Sequence, residues 1–80
     1  MNISELLNSG SKILKQSKIE THQLDSELVL SSLLKKQREN LLINPNQEIS
    51  ENTIDNFKNL ISRRANREPL AYILKKKEFW

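Results

Sequence analysis

The sequence of 80 residues contains no cysteine, one histidine and one glycine. The lack of cysteine excludes disulfide bonds and thiolate metal sites. A single histidine argues against a His-based zinc site or a Ser-His-Asp triad, and a single glycine excludes a glycine-rich phosphate loop. Because this length allows only one small domain, the composition predicts a non-catalytic domain or a piece of a larger protein.

The sequence also lacks long apolar runs. A membrane-spanning helix needs about 20 consecutive apolar residues, and no apolar block resembles a signal peptide. Valine occurs once, and no window of useful length alternates apolar and polar residues as a half-buried strand would. The sequence therefore predicts neither a membrane segment nor a sheet, and the lack of cysteine and of a signal fits a cytoplasmic protein.

Leucine and isoleucine are abundant, and they make up 21 of the 29 apolar residues. That content suits a globular domain and not a disordered tail. Charge is unevenly placed, because residues 1–60 carry seven basic and eight acidic residues while residues 61–80 carry six basic and two acidic ones. A basic end can meet phosphates or an acidic partner surface. It can equally be a solvated helix end, where cations are favoured.

The spacing of the apolar residues predicts five consecutive helices. In the first, residues 1–17, apolar positions recur every three or four residues on one face. Asn2 and Glu5 are expected to form a capping box. Gly10 lies on the apolar face at a cost of about 1 kcal/mol relative to alanine, so a neighbouring helix is expected to approach it closely. The other helices are expected at 21–34, 36–43 and 50–66 and from Pro69 onward. The predicted fold class is all-α, a compact bundle of about five helices over residues 1–74.

The second predicted helix is apolar on two sides, which places it in the middle of the bundle. Its apolar positions include Leu24, and Thr21 is its expected N-cap. Asp25 and Glu27 are interpreted as residues that favour its early turns through the helix dipole. They stand two positions apart and so face different sides of a helix, which argues against a metal or acid/base pair.

Two further expectations concern the second half of the chain. The third helix is expected to bury Leu41-Leu42-Ile43 before Pro45 ends it. Ser50 is the expected N-cap of the fourth helix, with Ile49 and Ile54 as a hydrophobic staple around it.

Few residues suggest chemistry. His22 is solitary and near a helix start, so a surface or capping role is expected. Tyr72, next to Arg63, Arg64 and Arg67, resembles a weak nucleic-acid patch on which a base could stack. In the other interpretation, Tyr72 packs at the edge of the core with its hydroxyl in water.

The sequence ends on Phe79 and Trp80, two of its four aromatic residues. Two large rings at an exposed end are a liability without a covering partner, which favours a protein that continues beyond this point. Alternatively, both rings fold back onto the bundle. Residues 75–80 are therefore expected to be the start of a linker.

Three segments resemble one family. The stretch Arg63-Arg64-Ala65-Asn66-Arg67-Glu68-Pro69-Leu70-Ala71-Tyr72-Ile73-Leu74, followed by Glu78-Phe79-Trp80, is similar to the boundary segment of the HemK/PrmC family of release factor glutamine methyltransferases. The segment Leu24-Asp25-Ser26-Glu27-Leu28-Val29-Leu30 is similar to a family helix that has alanine in place of Ser26. The Leu41-Leu42 to Pro45 region also fits. Lys75 departs from the family pattern, which has glycine there, and puts the exit turn of the fifth helix in doubt.

The resemblance implies a helical N-terminal domain that recognises class 1 peptide chain release factors. A separate methyltransferase domain, absent from this sequence, would bind S-adenosylmethionine and methylate the glutamine of the release factor's GGQ motif. This chain itself would then hold no cofactor, metal or catalytic residue. Arg63, Arg64 and Tyr72 would lie near the partner or the interdomain surface, and Phe79 and Trp80 against the absent domain. Alternatively, Arg63 and Arg64 pair with carboxylates within the bundle and Tyr72 packs against it.

The sequence is also compatible with two other functions. One is a stand-alone nucleic-acid-binding module that uses the basic last quarter, with an affinity that falls steeply with salt. The other is an adaptor that binds a helix in an apolar groove. The basic residues are few and the apolar residues are accounted for by an internal core, so we expect neither direct nucleic-acid binding nor membrane contact.

Overall fold

A computed structural model describes residues 1–75, with side chains through Leu74. Within that range the helices cover 72% of the residues and there is no strand, which confirms the all-α prediction. None of these helices is long and apolar enough to span a membrane. The helices are α1 (Ile3–Gln16), α2 (His22–Leu34), α3 (Arg38–Ile43), α4 (Glu51–Ala65) and α5 (Leu70–Lys75).

The start of α1 is closed by the capping box and by a loop from the middle of the chain. The side chain of Asn2 accepts from the Glu5 amide at 2.8 Å, and Glu5 accepts from the Asn2 amide at 3.0 Å, which confirms the prediction. The amides of Ile3 and Ser4 have no acceptor within the helix, and each donates at 2.9 Å to a carbonyl of the loop between α3 and α4. This loop thus satisfies donors that a helix start leaves open.

The central helix is α2, which contacts each of the other four helices, as its two-sided apolar pattern predicts. Val29 and Leu30 are fully buried. Leu24, by contrast, is 40% exposed and not part of the core. Thr21 is the N-cap residue, as predicted, but its side chain makes no capping hydrogen bond, because its hydroxyl donates to Asp25 at 3.0 Å.

Gly10 lies where α1 meets α2 and α4. A Cβ atom built there would stand 2.7 Å from the Phe57 ring and 2.7 Å from the Ser26 hydroxyl. Phe57 is fully buried in the core, so the ring has little room to move. This close approach confirms the reason expected for a glycine on the buried face.

The third helix does not bury its whole apolar end. Leu41 is fully buried, but Leu42 is 55% exposed and Ile43 is 70% exposed, so the prediction for these two residues is wrong. Successive helical residues point about 100° apart, and α3 is a single short segment whose main neighbour is α2. One residue of the three can face the core while the other two face outward.

The fourth helix begins as predicted. The Ser50 hydroxyl accepts from the Thr53 amide at 3.3 Å, Ile49 is buried, and Ile54 packs against the core.

Three helices are followed by a left-handed residue that is not glycine. Lys18, Lys35 and Arg67 have φ angles of 64°, 57° and 72°. After α2, for example, the Lys36 amide donates to the Ser31 carbonyl at 3.0 Å, which is the long hydrogen bond of a Schellman motif. Glycine is favoured in such positions because a Cβ atom is disfavoured there.

Candidate functional site: an arginine corner after α4

The residues that sequence reasoning singled out lie at the end of α4 and in the turn to α5. We call Arg63, Arg64, Arg67 and Glu68 the arginine corner. Arg63 and Arg64 occupy the last turn of α4, where cations interact favourably with the helix dipole. Arg67 is left-handed, Pro69 follows it, and α5 begins at Leu70.

Arg64 connects three parts of the bundle. Its Nε donates to Asp25 Oδ2 on α2 at 2.9 Å, and its Nη1 donates to the Glu68 carbonyl at 2.9 Å. Asp25 is buried at 3% exposure and also accepts from the Thr21 hydroxyl. Arg64 therefore holds both α2 and the residue before Pro69, and it neutralises a carboxylate that would otherwise be buried unpaired.

Arg63 makes a local pair at the surface. Its guanidinium donates to the Glu68 carboxylate through Nε and through Nη2, and both side chains are about two-fifths exposed. The hydrogen bond that Arg63 donates to the Glu68 carboxylate raises the pKa of Arg63 above its ordinary value; burial opposes this shift and the negative charge of Glu68 adds to it. This pair braces the turn, but solvent screens it, so its contribution to stability is small.

Arg67 ties the corner to the far end of α1. Its Nη2 donates to the Ser17 carbonyl at 2.8 Å and lies 3.5 Å from the Lys18 carbonyl. These carbonyls belong to the turn that ends α1, where unsatisfied acceptors and the helix dipole favour a cation. The corner is thus anchored to α1 as well as to α2.

The three guanidinium groups are therefore engaged inside the protein, with two carboxylates and three backbone carbonyls as acceptors. This arrangement agrees with the second interpretation of the sequence, in which Arg63 and Arg64 pair with carboxylates within the bundle. Arg63 and Arg64 each already have a close carboxylate, which offsets their charge, whereas Arg67 is bound to backbone carbonyls. The arrangement gives the nucleic-acid interpretation no support.

The short helix α5 leaves the corner with one face buried. Ile73 is 1% exposed, and Leu70 and Leu74 pack against the core. Tyr72 lies on the opposite face of the helix and is 62% exposed. Phe79 and Trp80 lie outside the described residues, as does the predicted linker beyond Lys75. Contacts of these residues with a partner or a second domain stay a prediction.

Sequence reasoning missed the roles of Asp25 and Glu27. Both are buried, and Glu27 accepts from Arg38 Nε at 3.1 Å. The helix-dipole interpretation does not account for these ion pairs. The available signal was the position of two carboxylates inside a helix that is apolar on two sides, since buried charges require partners.

The other chemistry-bearing groups are few. Ser11 Oγ and His22 Nδ1 lie 2.6 Å apart and join α1 to the start of α2. Within residues 1–75 there is no cluster of three or more His, Cys, Asp or Glu side chains that could hold a metal ion.

The structure is an all-α domain in which the arginine corner joins α4 and the turn after it to α2 and to the end of α1. The chain belongs to the family described as the PrmC N-terminal domain, because the model of that family matches residues 5–74.

The similarity to known proteins covers the whole chain or nearly all of it. It is 38% identical to a release factor glutamine methyltransferase of Clostridium botulinum over 79 residues, which is 99% of this chain and 28% of that protein. It is 39% identical to one of Buchnera aphidicola over 100% of this chain and 28% of that protein. A bifunctional methyltransferase of Rickettsia typhi is 35% identical over 99% of this chain and 15% of its own length. The chain thus spans between about a seventh and somewhat over a quarter of these relatives. No solved structure matches it.

Proposed function

We propose that this chain is the release-factor-recognition domain of an S-adenosylmethionine-dependent protein-(glutamine-N5) methyltransferase. The substrate would be the glutamine of the GGQ motif in bacterial class 1 release factors, and the protein would act in the cytoplasm. The observation that carries this proposal is the match of nearly the whole chain to the PrmC N-terminal domain and to release factor glutamine methyltransferases.

In this proposal the chain binds and orients the release factor, and a second domain transfers the methyl group. Methyl transfer needs the amide nitrogen in line with the sulfonium methyl group, so positioning supplies much of the rate enhancement. Contacts remote from the reacting atoms can supply that positioning energy. A small helical bundle suits this role because it offers contact area at a distance from the chemistry.

In this proposal the second domain, and not this chain, would bind S-adenosylmethionine, which supplies the methyl group. No step of the reaction is assigned to residues 1–75.

The arginine corner supports a second part of the proposal, which is the orientation of the two domains. Arg64 and Arg67 fix the turn before α5 to α2 and α1, so the direction of α5 is set by the bundle. Tyr72, on the outer face of α5, would meet the release factor or the second domain. Phe79 and Trp80 would pack against the second domain.

The test uses the complete protein encoded by the gene of this chain. It is incubated with methyl-labelled S-adenosylmethionine and either an intact class 1 release factor or a short peptide that contains the GGQ motif. Removal of residues 1–74 is expected to lower kcat/KM for the intact factor by at least tenfold, with little change for the peptide. Failure to label the factor at glutamine, or an equal loss with both substrates, would overturn the proposal.

A further inference from the structure

Arg67 occupies a backbone position in which glycine is favoured. Its φ angle is 72°, in the left-handed region where a Cβ atom is disfavoured. The turn is a Schellman motif, because the Arg67 amide donates to the Arg64 carbonyl at 2.8 Å and the Glu68 amide donates to the Arg63 carbonyl at 3.2 Å. Glycine would make the same backbone hydrogen bonds without the Cβ penalty. What arginine adds at this position is therefore its side chain.

That side chain binds the corresponding turn at the end of α1. Its Nη2 donates to the Ser17 carbonyl at 2.8 Å and lies 3.5 Å from the Lys18 carbonyl. Lys18 is also left-handed, with a φ angle of 64°, and the Ile19 amide donates to the Leu14 carbonyl at 3.0 Å. The carbonyls and the dipole at the end of a helix both favour a cation there. The Arg67 side chain thus fastens the turn after α4 onto the turn after α1.

The place of Arg67 in the chain connects this contact to α5. Pro69 follows two residues later, and its carbonyl accepts from the Tyr72 amide at 3.0 Å at the start of α5. The helix α5 packs against α2 and α4, so the Arg67 contact adds α1 to the parts of the bundle that hold the start of α5. In the proposed function the second domain follows α5, and its placement relative to the bundle would depend on this turn.

We propose that Arg67 is a positioning residue that makes methyl transfer selective for an intact release factor over a short peptide. It acts through α5, so that a release factor bound to the bundle presents its glutamine to the second domain in the productive orientation. A small misplacement far from the reacting atoms is enough to slow such a transfer. This inference rests on the proposed function and deepens it, because it assigns the preference for a protein substrate to one side chain.

The experiment uses the complete protein and compares an intact class 1 release factor with a peptide that contains the GGQ motif. Arg67→Gly should lower kcat/KM for the intact factor by about fivefold, with the loss in kcat, since the contacts of the factor with the bundle are retained. The peptide should change less than about twofold, because a peptide that short does not bridge the two domains. Circular dichroism checks that the variant is folded.

The matched control is Lys35→Gly. Lys35 is a left-handed basic residue after α2, with a φ angle of 57°, so its replacement makes the same backbone change at another turn and should leave both substrates unaffected. Arg67→Lys should restore most of the activity with the intact factor, because an ammonium group can donate to the same carbonyls.

The outcomes separate the two proposals. If the unmodified protein does not label the factor at glutamine, the proposed function fails. If it does and Arg67→Gly acts like Lys35→Gly, Arg67 has no positioning role. An equal loss with factor and peptide, or an Arg67→Lys protein no more active than Arg67→Gly, would also overturn the inference.

Discussion

Replacement of Arg64 by methionine should destabilise the bundle far more than the same replacement of its neighbour Arg63. Methionine keeps much of the aliphatic stem but removes both hydrogen bonds of the guanidinium, to Asp25 and to the Glu68 carbonyl. Asp25 would stay buried with the Thr21 hydroxyl as its remaining side-chain partner. The free energy of unfolding should therefore fall sharply.

The magnitude follows from the burial of Asp25. Removal of one member of a buried ion pair costs about 3–5 kcal/mol, and we expect the lower end, about 3 kcal/mol, because Arg64 itself is 21% exposed. A loss of about 3 kcal/mol lowers Tm by roughly 12–24 °C in a domain of this size. A total stability of about 4–12 kcal/mol is typical of 80 residues, so the variant should remain folded at low temperature.

The measurement is thermal and urea unfolding followed by circular dichroism for the unmodified chain, Arg64→Met and Arg63→Met. Arg63 pairs with Glu68 at the surface, so its replacement should cause a minor part of the Tm loss seen for Arg64. A double-mutant cycle with Asp25→Asn should return a coupling of about 1–3 kcal/mol. Equal effects of the two arginine replacements, or a coupling near zero, would refute the role assigned to Arg64.

Three further changes should have distinct effects on stability, each measured by urea unfolding. Gly10→Ala should destabilise the domain by about 1 kcal/mol. Overpacking against Phe57 and Ser26 costs about 1–3 kcal/mol, which exceeds the gain of about 1 kcal/mol in helix propensity. The control is Asn8→Ala, at an exposed position of the same helix, which should not destabilise the domain. Lys35→Gly should stabilise by about 1 kcal/mol, because it relieves a left-handed residue; a loss would contradict this. Phe57→Ala should cost about 3–5 kcal/mol by opening a cavity in the core, and a small change would mean that the core is loosely packed.

The helices themselves were predictable because their signals are local. Asn2 with Glu5, and Ser50 with Ile49 and Ile54, are patterns in which the sequence neighbours make the contacts. The same holds for the central position of α2, which follows from apolar residues on two of its sides. Gly10 was predictable because a glycine on an apolar helix face is costly unless another helix lies close.

The ion pairs and the exposed end of α3 were not predictable in the same way. Asp25 and Arg64 are 39 residues apart, and their contact depends on how α2 and α4 are packed. Leu42 and Ile43 belong to an apolar run whose phase relative to the core is fixed by the contact of α3 with α2, so the run alone gives no way to tell which residue is buried. The contacts of the arginine corner were unpredictable for the same reason, because Arg67 contacts the end of α1 across 50 residues.

The central claim is that this domain recognises a class 1 release factor, and the most direct test is to add the purified factor to the isotopically labelled 80-residue chain and record its amide resonances. We predict saturable shifts for a contiguous set of surface amides of the bundle, with an unrelated translation factor causing none. Spectra that stay unchanged at high concentrations of release factor would contradict the account.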